Sequence, residues 1–341
     1  MLELPRTHRE VRLAGKPADG LPRPEHFEIV EVALPAPGAD EVLVRNRFFH
    51  VFAALRTLIG GGLDGAPFPP LHPGDTLFGA AIGEVVSAPE GAGFEPGDLV
   101  SHWLGWREYA TLPAGQCTAL PGTLPDPVAY LAQGATAYGA LTRGADVRPG
   151  DTVFVSGGAG SVGSMAGQIA RLLGAGRVIG STGSREKGDR LVSELGYDAA
   201  VIRGAGPIAD QLAEAAPDGL DVVLDNVGGE DLQAAVTAAR TGARLVLVGA
   251  LSGQLSPSGR GTTSPVELDS YMLIGKQITL RGYSAGGDEQ IRSEWLDRFG
   301  GWLRSGEITF PYVGVPGIDA APQALHDMMN GRHLGTVVVA L

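Results

Sequence analysis

A glycine-rich segment at 153–164 (VFVSGGAGSVGS) constrains the fold of this chain more than any other feature. Gly158, Gly160 and Gly163 give the spacing G-x-G-x-x-G between an apolar run and a helical pattern. At this spacing the first glycine permits a tight turn, the second lets the backbone approach a pyrophosphate, and the third lets helix pack on strand. The alternative is a glycine-rich turn without a ligand, but the strand–turn–helix context favours a dinucleotide at the helix N-terminus.

The sequence after about residue 127 alternates short apolar runs with helical patterns. Helical spacing occurs at 162–173, at 231–240 and in a last helix near 291–302. The strand-like runs lie at 152–156, 177–182, 199–202, 221–225, 244–249 and 277–282. Strands separated by helices of this length predict right-handed crossovers, and hence a Rossmann doubly wound parallel sheet of the α/β class.

The sequence up to about residue 120 has a strand-and-turn texture instead. Apolar and β-branched runs at 41–48 and 83–87 predict strands. Pro-Gly-Asp triplets stand before apolar stretches at 73–75, 96–98 and 149–151. Because proline presets φ and glycine accepts positive φ, each triplet is predicted to begin a strand. This part of the chain is therefore expected to be a mostly antiparallel β domain.

Length and charge limit the architecture and the partners. A chain of 341 residues is longer than the chains that usually fold around a single hydrophobic core, so two domains are expected. The net charge of −12 argues against nucleic acid and against an anionic membrane surface as partners. No apolar run reaches the ~18 residues of a membrane span, and the N-terminus lacks a signal-peptide pattern. We therefore expect a soluble, cytoplasmic protein.

The sequence shows no pattern of metal ligands. Cys117 is the one cysteine, which excludes a disulfide framework and a cysteine-rich zinc lobe, and we interpret it as a buried apolar residue. The seven histidines are scattered and form no H-E-x-x-H motif. His72 precedes a Pro-Gly pair and is interpreted as a turn residue. No metal site is expected.

The segment at 180–187 (GSTGSREK) indicates which dinucleotide is bound. An NAD site usually has an acidic residue at the end of this strand to accept the ribose hydroxyls. Small hydroxyl residues stand there instead, which leaves room for a 2′-phosphate that Arg185 or Lys187 could neutralise. Glu186 falls in the first turn of the next helix, and the alternative is an ordinary solvated helix start. The segment favours NADP(H) over NAD(H).

Motifs that carry a family resemblance occur in order over nearly the whole chain. They include 24–27 (PEHF), 97–100 (GDLV), 105–106 (GW), 108–109 (EY), 136–138 (TAY), 160–163, 186–187 (EK), 225–229 (DNVGG), 249–250 (GA) and 331–335. With these motifs the chain resembles the zinc-independent medium-chain dehydrogenases/reductases. Within that family it is most similar to the branch of prostaglandin reductases and plant alkenal double-bond reductases.

The resemblance implies a fold, a reaction and an assembly. It implies a GroES-like, mostly-β catalytic domain formed by residues 1–125 and 305–341, around a Rossmann NADP-binding domain at 126–304. It implies that NADPH delivers hydride to the β carbon of an α,β-unsaturated carbonyl compound, usually in a homodimer. The alternatives are a quinone reductase, an enoyl-thioester reductase and a protein that binds NADPH without turnover.

The resemblance also implies which residues contact the cofactor. Lys187 would lie on the 2′-phosphate, Arg203 stands where the family often has Tyr, and His333 stands where it has Asn. The full set of implied cofactor contacts is Gly158, Gly160, Ser161, Val162, Gly163, Gly183, Ser184, Lys187, Arg203, Asn226, Gly249, Ala250, Ser252, Tyr283, Ser284, Ala285 and His333.

On the substrate side the chain departs from the family pattern. The family segment S-V-D-P-Y-M-R corresponds to 50–56 (HVFAALR), of which only Val51 and Arg56 are retained. The tyrosine that often follows the 249–252 segment is replaced near Gln254. The remaining candidates for the substrate pocket are His50, Arg56 and Tyr283, and none of them is expected to be an indispensable general acid.

Overall fold

The computed structural model describes residues 4–18, 20–62, 68–258, 260–284, 286 and 288–341. The strands are β1 (Thr7–Leu13), β2 (Phe27–Ala33), β3 (Glu41–Val51), β4 (Ala81–Ser87), β5 (Leu99–His102), β6 (Tyr109–Pro113), β7 (Thr118–Ala119), β8 (Thr152–Val155), β9 (Arg177–Thr182), β10 (Ala199–Ile202), β11 (Leu220–Asp225), β12 (Ala239–Leu247), β13 (Thr279–Gly282), β14 (Tyr312–Pro316) and β15 (Thr336–Ala340). The α-helices are α1 (Leu55–Gly60), α2 (Gly134–Gly139), α3 (Gly163–Leu172), α4 (Arg185–Glu194), α5 (Ile208–Ala215), α6 (Gly229–Ala238), α7 (Leu251–Gln254), α8 (Ser270–Gly275), α9 (Glu289–Ser305) and α10 (Ala321–Met329). None of the helices within these ranges has the length and hydrophobicity needed to cross a membrane.

A mostly antiparallel sheet is built from both ends of the chain. Its strand order is β14-β15-β3-β4-β5-β7, with β6 also paired to β3, and β1 and β2 form a separate hairpin. Only β14 and β15 pair in parallel, and Val338 of β15 lies in register with His50 of β3. The fully buried Phe49, Leu77 and Trp106 belong to the apolar core on this sheet. The predicted GroES-like, mostly-β fold is confirmed, and the C-terminal strands β14 and β15 belong to this sheet.

A six-stranded parallel sheet occupies the middle of the chain. Its strand order, β10-β9-β8-β11-β12-β13, is that of a Rossmann fold. The order of the strands along the sheet reverses between β8 and β11. Successive residues of each strand point to opposite faces, so Val153 packs with α3 and α9, whereas Phe154 packs with α5 and α6. Both faces are therefore covered, as the continuous apolar runs of the sequence predicted. The predicted α/β class is confirmed.

One of the three Pro-Gly-Asp triplets does not begin a strand. The triplets at 96–98 and 149–151 lead into β5 and β8 as predicted, but 73–75 is followed by a single bridge between Thr76 and Arg12. Three backbone hydrogen bonds tie this segment to the end of β1, among them Leu77 N–H to Val11 O at 2.9 Å. The prediction was wrong there because residues 9–11 of β1 pair with the segment around Arg107, which includes the bridge Glu10–Arg107, so the ladder to Thr76 cannot extend.

The boundary between α6 and β12 lies earlier than the sequence pattern indicated. The helix was expected at 231–240 and the strand at 244–249, whereas α6 ends at Ala238 and β12 begins at Ala239. Positive φ at Gly228 and Gly229 turns the chain into the helix two residues sooner. Ala239 then pairs with Leu220 ahead of an irregularity in the ladder, which lengthens the strand. Local periodicity cannot detect this pairing, because it is set by the distant strand β11.

Candidate functional site

A cleft with a volume of about 360 Å³ lies at the carboxyl ends of the parallel strands. Its walls come from the glycine turn after β8, the ends of β9 and β11 and the loops after β10 and β12. At one end it reaches the end of β3 and the start of α2, and the loop before β15 forms another wall. Open parallel sheets bind ligands at this edge, where the strand order reverses.

The turn between β8 and α3 is built from closely packed glycines. A Cβ on Gly163 would lie 2.3 Å from Gly157 O, so the predicted close packing at this position is confirmed. The sequence assigned the tight turn to Gly158, and the residue of this pair with positive φ is Gly157, at +62°. Gly158 is instead confined by packing, since a Cβ there would lie 3.1 Å from Leu191 Cδ1. The turn therefore needs a glycine that the G-x-G-x-x-G spacing does not include.

A pair of cationic side chains forms the end of the cleft beside β9. Lys187 and Arg203 both line the cleft, and neither forms a salt bridge with a described residue. A Cβ on Gly183 would lie 3.1 Å from Arg203 Nη2, which places the guanidinium at the end of β9. Burial lowers the pKa of Lys187, and the nearby charge of Arg203 lowers it further. Two cations that repel each other in a partly buried site fit a phosphate group.

A buried carboxylate, which the sequence did not single out, lies near the same end. Asp231 of α6 lines the cleft and accepts a hydrogen bond from Ser181 Oγ, which in turn accepts one from Gly157 N–H at 3.0 Å. Burial raises the pKa of Asp231, although Ser181 and Arg203 oppose this shift. The adjacent Thr182 Oγ1 is buried and has no hydrogen-bond partner within the described chain. The sequence signal that could have pointed to this polar end of the cleft is the pair of hydroxyl residues at 181–182, because they end a predicted strand.

The middle of the cleft is shaped by a hydrogen-bonded turn after β11. Ser156 Oγ donates to Asp225 Oδ1 at 2.5 Å, and Asn226 Nδ2 donates to Ser156 O at 2.8 Å. Gly228 N–H donates to the other carboxylate oxygen of Asp225 at 2.9 Å. A Cβ on Gly249 would lie 2.6 Å from Asn226 O, so only glycine fits there. The network fixes Asn226 and Gly249 in the cleft wall.

The opposite end of the cleft is apolar and contains one buried histidine. His50, near the end of β3, is 5% exposed, and its ring centroid lies 6.0 Å from that of Phe52. Burial lowers the pKa of His50 to about 4, so the imidazole is neutral near pH 7. Gln133 Nε2 lies 3.5 Å from His50 Nδ1 and also lines this end. Gln133 could not be predicted from sequence patterns, because it is far from His50 in the sequence and contacts it only in the folded structure.

Comparison with known proteins places the whole chain in one family. Prostaglandin reductase 1 of Mus musculus is 31% identical over 330 residues, which are 94% of this chain and 95% of the relative. The 2-alkenal reductase (NADP(+)-dependent) of Nicotiana tabacum is 29% identical over 94% of both chains. Two family models also match, one described as zinc-binding dehydrogenase over 161–299 and one as N-terminal domain of oxidoreductase over 9–120. This chain belongs to the zinc-independent medium-chain dehydrogenases/reductases.

A solved structure agrees with this assignment to the medium-chain dehydrogenases/reductases. CurA from Vibrio vulnificus, crystallised in complex with NADPH, superposes on this chain with a TM-score of 0.87. The two chains are 29% identical, and the match covers 97% of this chain and 98% of CurA. Within the described ranges this medium-chain dehydrogenase/reductase has no group of three or more His, Cys, Asp or Glu side chains that could hold a metal ion.

Many of the sequence-predicted site residues of this medium-chain dehydrogenase/reductase lie together. Those that line the cleft are His50, Gly160, Ser161, Val162, Gly163, Gly183, Lys187, Arg203, Asn226, Gly249 and His333. Those that the structure places outside the lining are Arg56, Gly158, Ser184, Ala250, Ser252, Tyr283 and Ser284. Ser184 caps α4 by accepting a hydrogen bond from Lys187 N–H at 3.3 Å. Ala285 lies outside the described residues.

Two of the three substrate-pocket candidates point elsewhere in this medium-chain dehydrogenase/reductase. Arg56 is buried, and its Nη1 donates to Arg260 O at 3.0 Å. The hydroxyl of Tyr283 lies against α2, where a Cβ on Gly139 would be 1.9 Å from it. Tyr283 follows the last strand of the parallel sheet and packs its ring into the core beside α9. His50 is therefore the candidate whose side chain reaches the cleft.

Proposed function

We propose that this chain is an NADPH-dependent reductase of the conjugated carbon–carbon double bond in α,β-unsaturated carbonyl compounds. The observation that carries the proposal is the contrast between the two ends of the cleft. One end has two cations that form no salt bridge with a described residue, and the other is an apolar chamber with a neutral imidazole. Such a cleft suits a phosphorylated dinucleotide beside an uncharged substrate. The names of the relatives, a 2-alkenal reductase and a prostaglandin reductase, support the same reaction.

The cofactor end favours NADP(H). Lys187 and Arg203 would hold the 2′-phosphate, and the turn around Gly160 and Gly163 would hold the pyrophosphate at the start of α3. When bound, NADPH supplies the hydride, and the protein contributes binding, orientation and electrostatics. Asn226 and Gly249 would support the reacting end, because both lie in the cleft wall between the two ends. The CurA structure with NADPH supports this cofactor.

The substrate end favours an uncharged carbonyl compound. Phe52, Ala53 and Ala54 line it together with His50 and Gln133, so a charged group there would lose hydration without gaining an ion pair. His50 can donate one hydrogen bond to a carbonyl oxygen, where negative charge develops as hydride reaches the β carbon. The proton added at the α carbon can come from water. The chamber therefore needs to orient the substrate and exclude water from its apolar side.

The decisive experiment compares three classes of hydride acceptor. Purified protein is mixed with NADPH and an enone, a quinone or an enoyl thioester, and the loss of NADPH absorbance is followed. We expect turnover with the enone and a saturated ketone as the product. Turnover restricted to the quinone or to the thioester would replace the proposal with that activity. Tight NADPH binding without turnover on any acceptor would favour a non-catalytic protein.

A homodimer is part of the proposal. The strand β13 is at the edge of the parallel sheet and is exposed along its length. Nearby α8 exposes two large apolar side chains, Tyr271 at 85% and Ile274 at 74%. An open strand edge beside apolar groups can pair with a second copy. Sedimentation should give twice the mass of the chain, and Tyr271→Asp should weaken the association; a monomer at micromolar concentration would contradict it.

The limits of the two domains are also proposals, with the catalytic domain at 1–125 and 305–341 and the Rossmann domain at 126–304. The strand composition of the two sheets supports them, since β14 and β15 extend the sheet built by β3–β7. Limited proteolysis should cut near residue 125 and in the exposed turn at 306–307, directly after α9. The cytoplasmic location stays a prediction that cell fractionation can test.

A further inference from the structure

The orientation of the Gln133 side chain is determined by a backbone carbonyl. Gln133 Nε2 lies 3.1 Å from Leu131 O. A carbonyl oxygen only accepts hydrogen bonds, so the atom facing it must be the NH₂ group and not the amide oxygen. Gln133 is the residue before α2, and Leu131 ends the short 3-10 helix at Pro127–Leu131, so both are held by local backbone structure.

The orientation of Gln133 determines the tautomer of His50. The same NH₂ group faces His50 Nδ1 at 3.5 Å, and an NH₂ group only donates. His50 Nδ1 must therefore present its lone pair. A neutral imidazole carries one proton, so that proton is on Nε2. The contact between Gln133 Nε2 and His50 Nδ1 is too long to be a strong hydrogen bond. Its main effect is to exclude the Nδ1–H tautomer, in which two N–H donors would face each other.

The Nε2–H group of His50 is left for a ligand. His50 Nε2 is buried and has no hydrogen-bond partner among the residues that the structure describes. The residue lines the apolar end of the cleft. Buried donors in folded proteins are nearly always satisfied, so an unmet donor in a cleft wall indicates where a ligand acceptor binds.

We propose that His50 donates a hydrogen bond from Nε2 to the carbonyl oxygen of the substrate, and that Gln133 is the positioning residue that holds His50 in this tautomer. The inference rests on the proposed reductase function. His50 is in β3 of the catalytic sheet, whereas Gln133 precedes α2 beside the parallel sheet. The donor is therefore set only when these two parts of the fold are packed together.

The role of His50 is hydrogen bonding without proton transfer. Burial holds its pKa near 4, so the imidazole has no second proton to give near pH 7. The neutral N–H can still stabilise negative charge on the oxygen during hydride transfer. The sequence agrees with a substrate pocket that differs from that of the family. His50 is the first residue of the segment 50–56, in which most of the family pattern S-V-D-P-Y-M-R is not retained.

The tautomer is tested on the protein without cofactor or substrate. Nitrogen NMR of ¹⁵N-histidine-labelled protein distinguishes protonated from unprotonated ring nitrogens, and the His50 signals are those lost in His50→Gln. We expect Nε2–H in the wild type and a mixture of tautomers in Gln133→Met, which keeps the side-chain length. A wild-type Nδ1–H tautomer, or an unchanged spectrum in Gln133→Met, overturns the inference.

The role in turnover is tested by a double-mutant cycle on enone reduction. His50→Leu should lower kcat and kcat/KM equally, by roughly ten- to a hundredfold, because the contact acts on developing charge. His50→Gln restores an N–H at a similar reach and should recover at least about half of that loss on a logarithmic scale. Gln133→Met should cost about three- to tenfold in the wild type and nothing in the His50→Leu background.

The outcomes separate this inference from the proposed function. A loss from Gln133→Met that persists in the His50→Leu background shows a structural role for Gln133 and overturns the inference. Enone turnover by a protein with the Nδ1–H tautomer also overturns it and leaves the reductase function standing. Absence of enone turnover with the Nε2–H tautomer present overturns the reductase function alone. Thermal unfolding of each variant shows whether a loss of turnover reflects a loss of folding.

Discussion

Lys187 Nζ donates a hydrogen bond to the carbonyl oxygen of Gly331 at 2.6 Å. The contact joins α4 of the parallel sheet to the loop before β15, which belongs to the antiparallel sheet. The cation that would meet the cofactor phosphate is thus positioned by the part of the chain that carries the catalytic sheet. Cofactor selection and the packing of the two sheets are linked through this one side chain.

Lys187→Ala should weaken NADPH binding at least about tenfold, or roughly 1.4 kcal/mol, and leave NADH binding nearly unchanged. The reason is that only NADPH carries the 2′-phosphate. Arg185→Ala is the matched control, because Arg185 is exposed on the same helix and does not line the cleft. Calorimetry with both cofactors measures the change. Equal losses for NADPH and NADH would sink the phosphate assignment.

Gly163→Ala should destabilise the phosphate turn. Its new Cβ would meet Gly157 O at 2.3 Å, and overpacking of this kind typically costs about 1–3 kcal/mol in the free energy of unfolding. Gly160→Ala is the control, since its Cβ would lie 3.4 Å from the same oxygen and should cost less than about 1 kcal/mol. Urea unfolding compares the two. Similar losses in both variants would contradict the packing argument.

His50→Ala and Tyr283→Phe should each reduce kcat by less than roughly a hundredfold. His50 is neutral and offers one hydrogen bond, and the Tyr283 hydroxyl lies against Gly139 away from the cleft. Tyr283→Phe should therefore be close to the wild type. Single-turnover hydride transfer measures both. A loss beyond about a thousandfold in either folded variant would establish a dedicated acid.

The stability of the protein should fall as the pH falls from about 6.5 to about 4. The pKa of His50 and that of His102 are lowered by burial to about 4, so in this range the unfolded chain binds protons that the folded chain does not. The free energy of unfolding therefore rises with pH across the window. His50→Gln should flatten this slope by the contribution of one proton. An unchanged slope in urea unfolding would show that His50 titrates normally in the folded state.

The sequence predicted what short-range rules determine. The close packing of Gly163, the strands β9 and β10 and the cationic segment around Lys187 follow from spacing and strand ends. Gly157 was missed because its positive φ depends on how the turn packs, which the spacing does not specify. Asp231 was missed because it is on α6, whereas its partner Ser181 is on β9, fifty residues earlier in the chain. Such contacts depend on the tertiary structure, in which the crossover connections bring distant residues together.

The substrate end could be predicted least. His50 and Gln133 are far apart in the sequence, and they meet where the catalytic sheet touches α2. Tyr283 was expected beside the cofactor because the family resemblance implied it. Its ring packs with the core near Ile291 instead, a choice that depends on the space left by Gly139. Residue type and order do not contain this information, because the space is set jointly by Gly139 of α2 and Ile291 of α9.

The most direct test of the central claim follows the hydride itself. The protein is given an enone and NADPH that carries deuterium at the transferable position, and the product is analysed by NMR and mass spectrometry. We expect a saturated ketone with one deuterium on the carbon β to the carbonyl. An allylic alcohol with deuterium on the hydroxyl-bearing carbon would contradict reduction of the carbon–carbon double bond. So would the absence of any deuterium transfer to the enone.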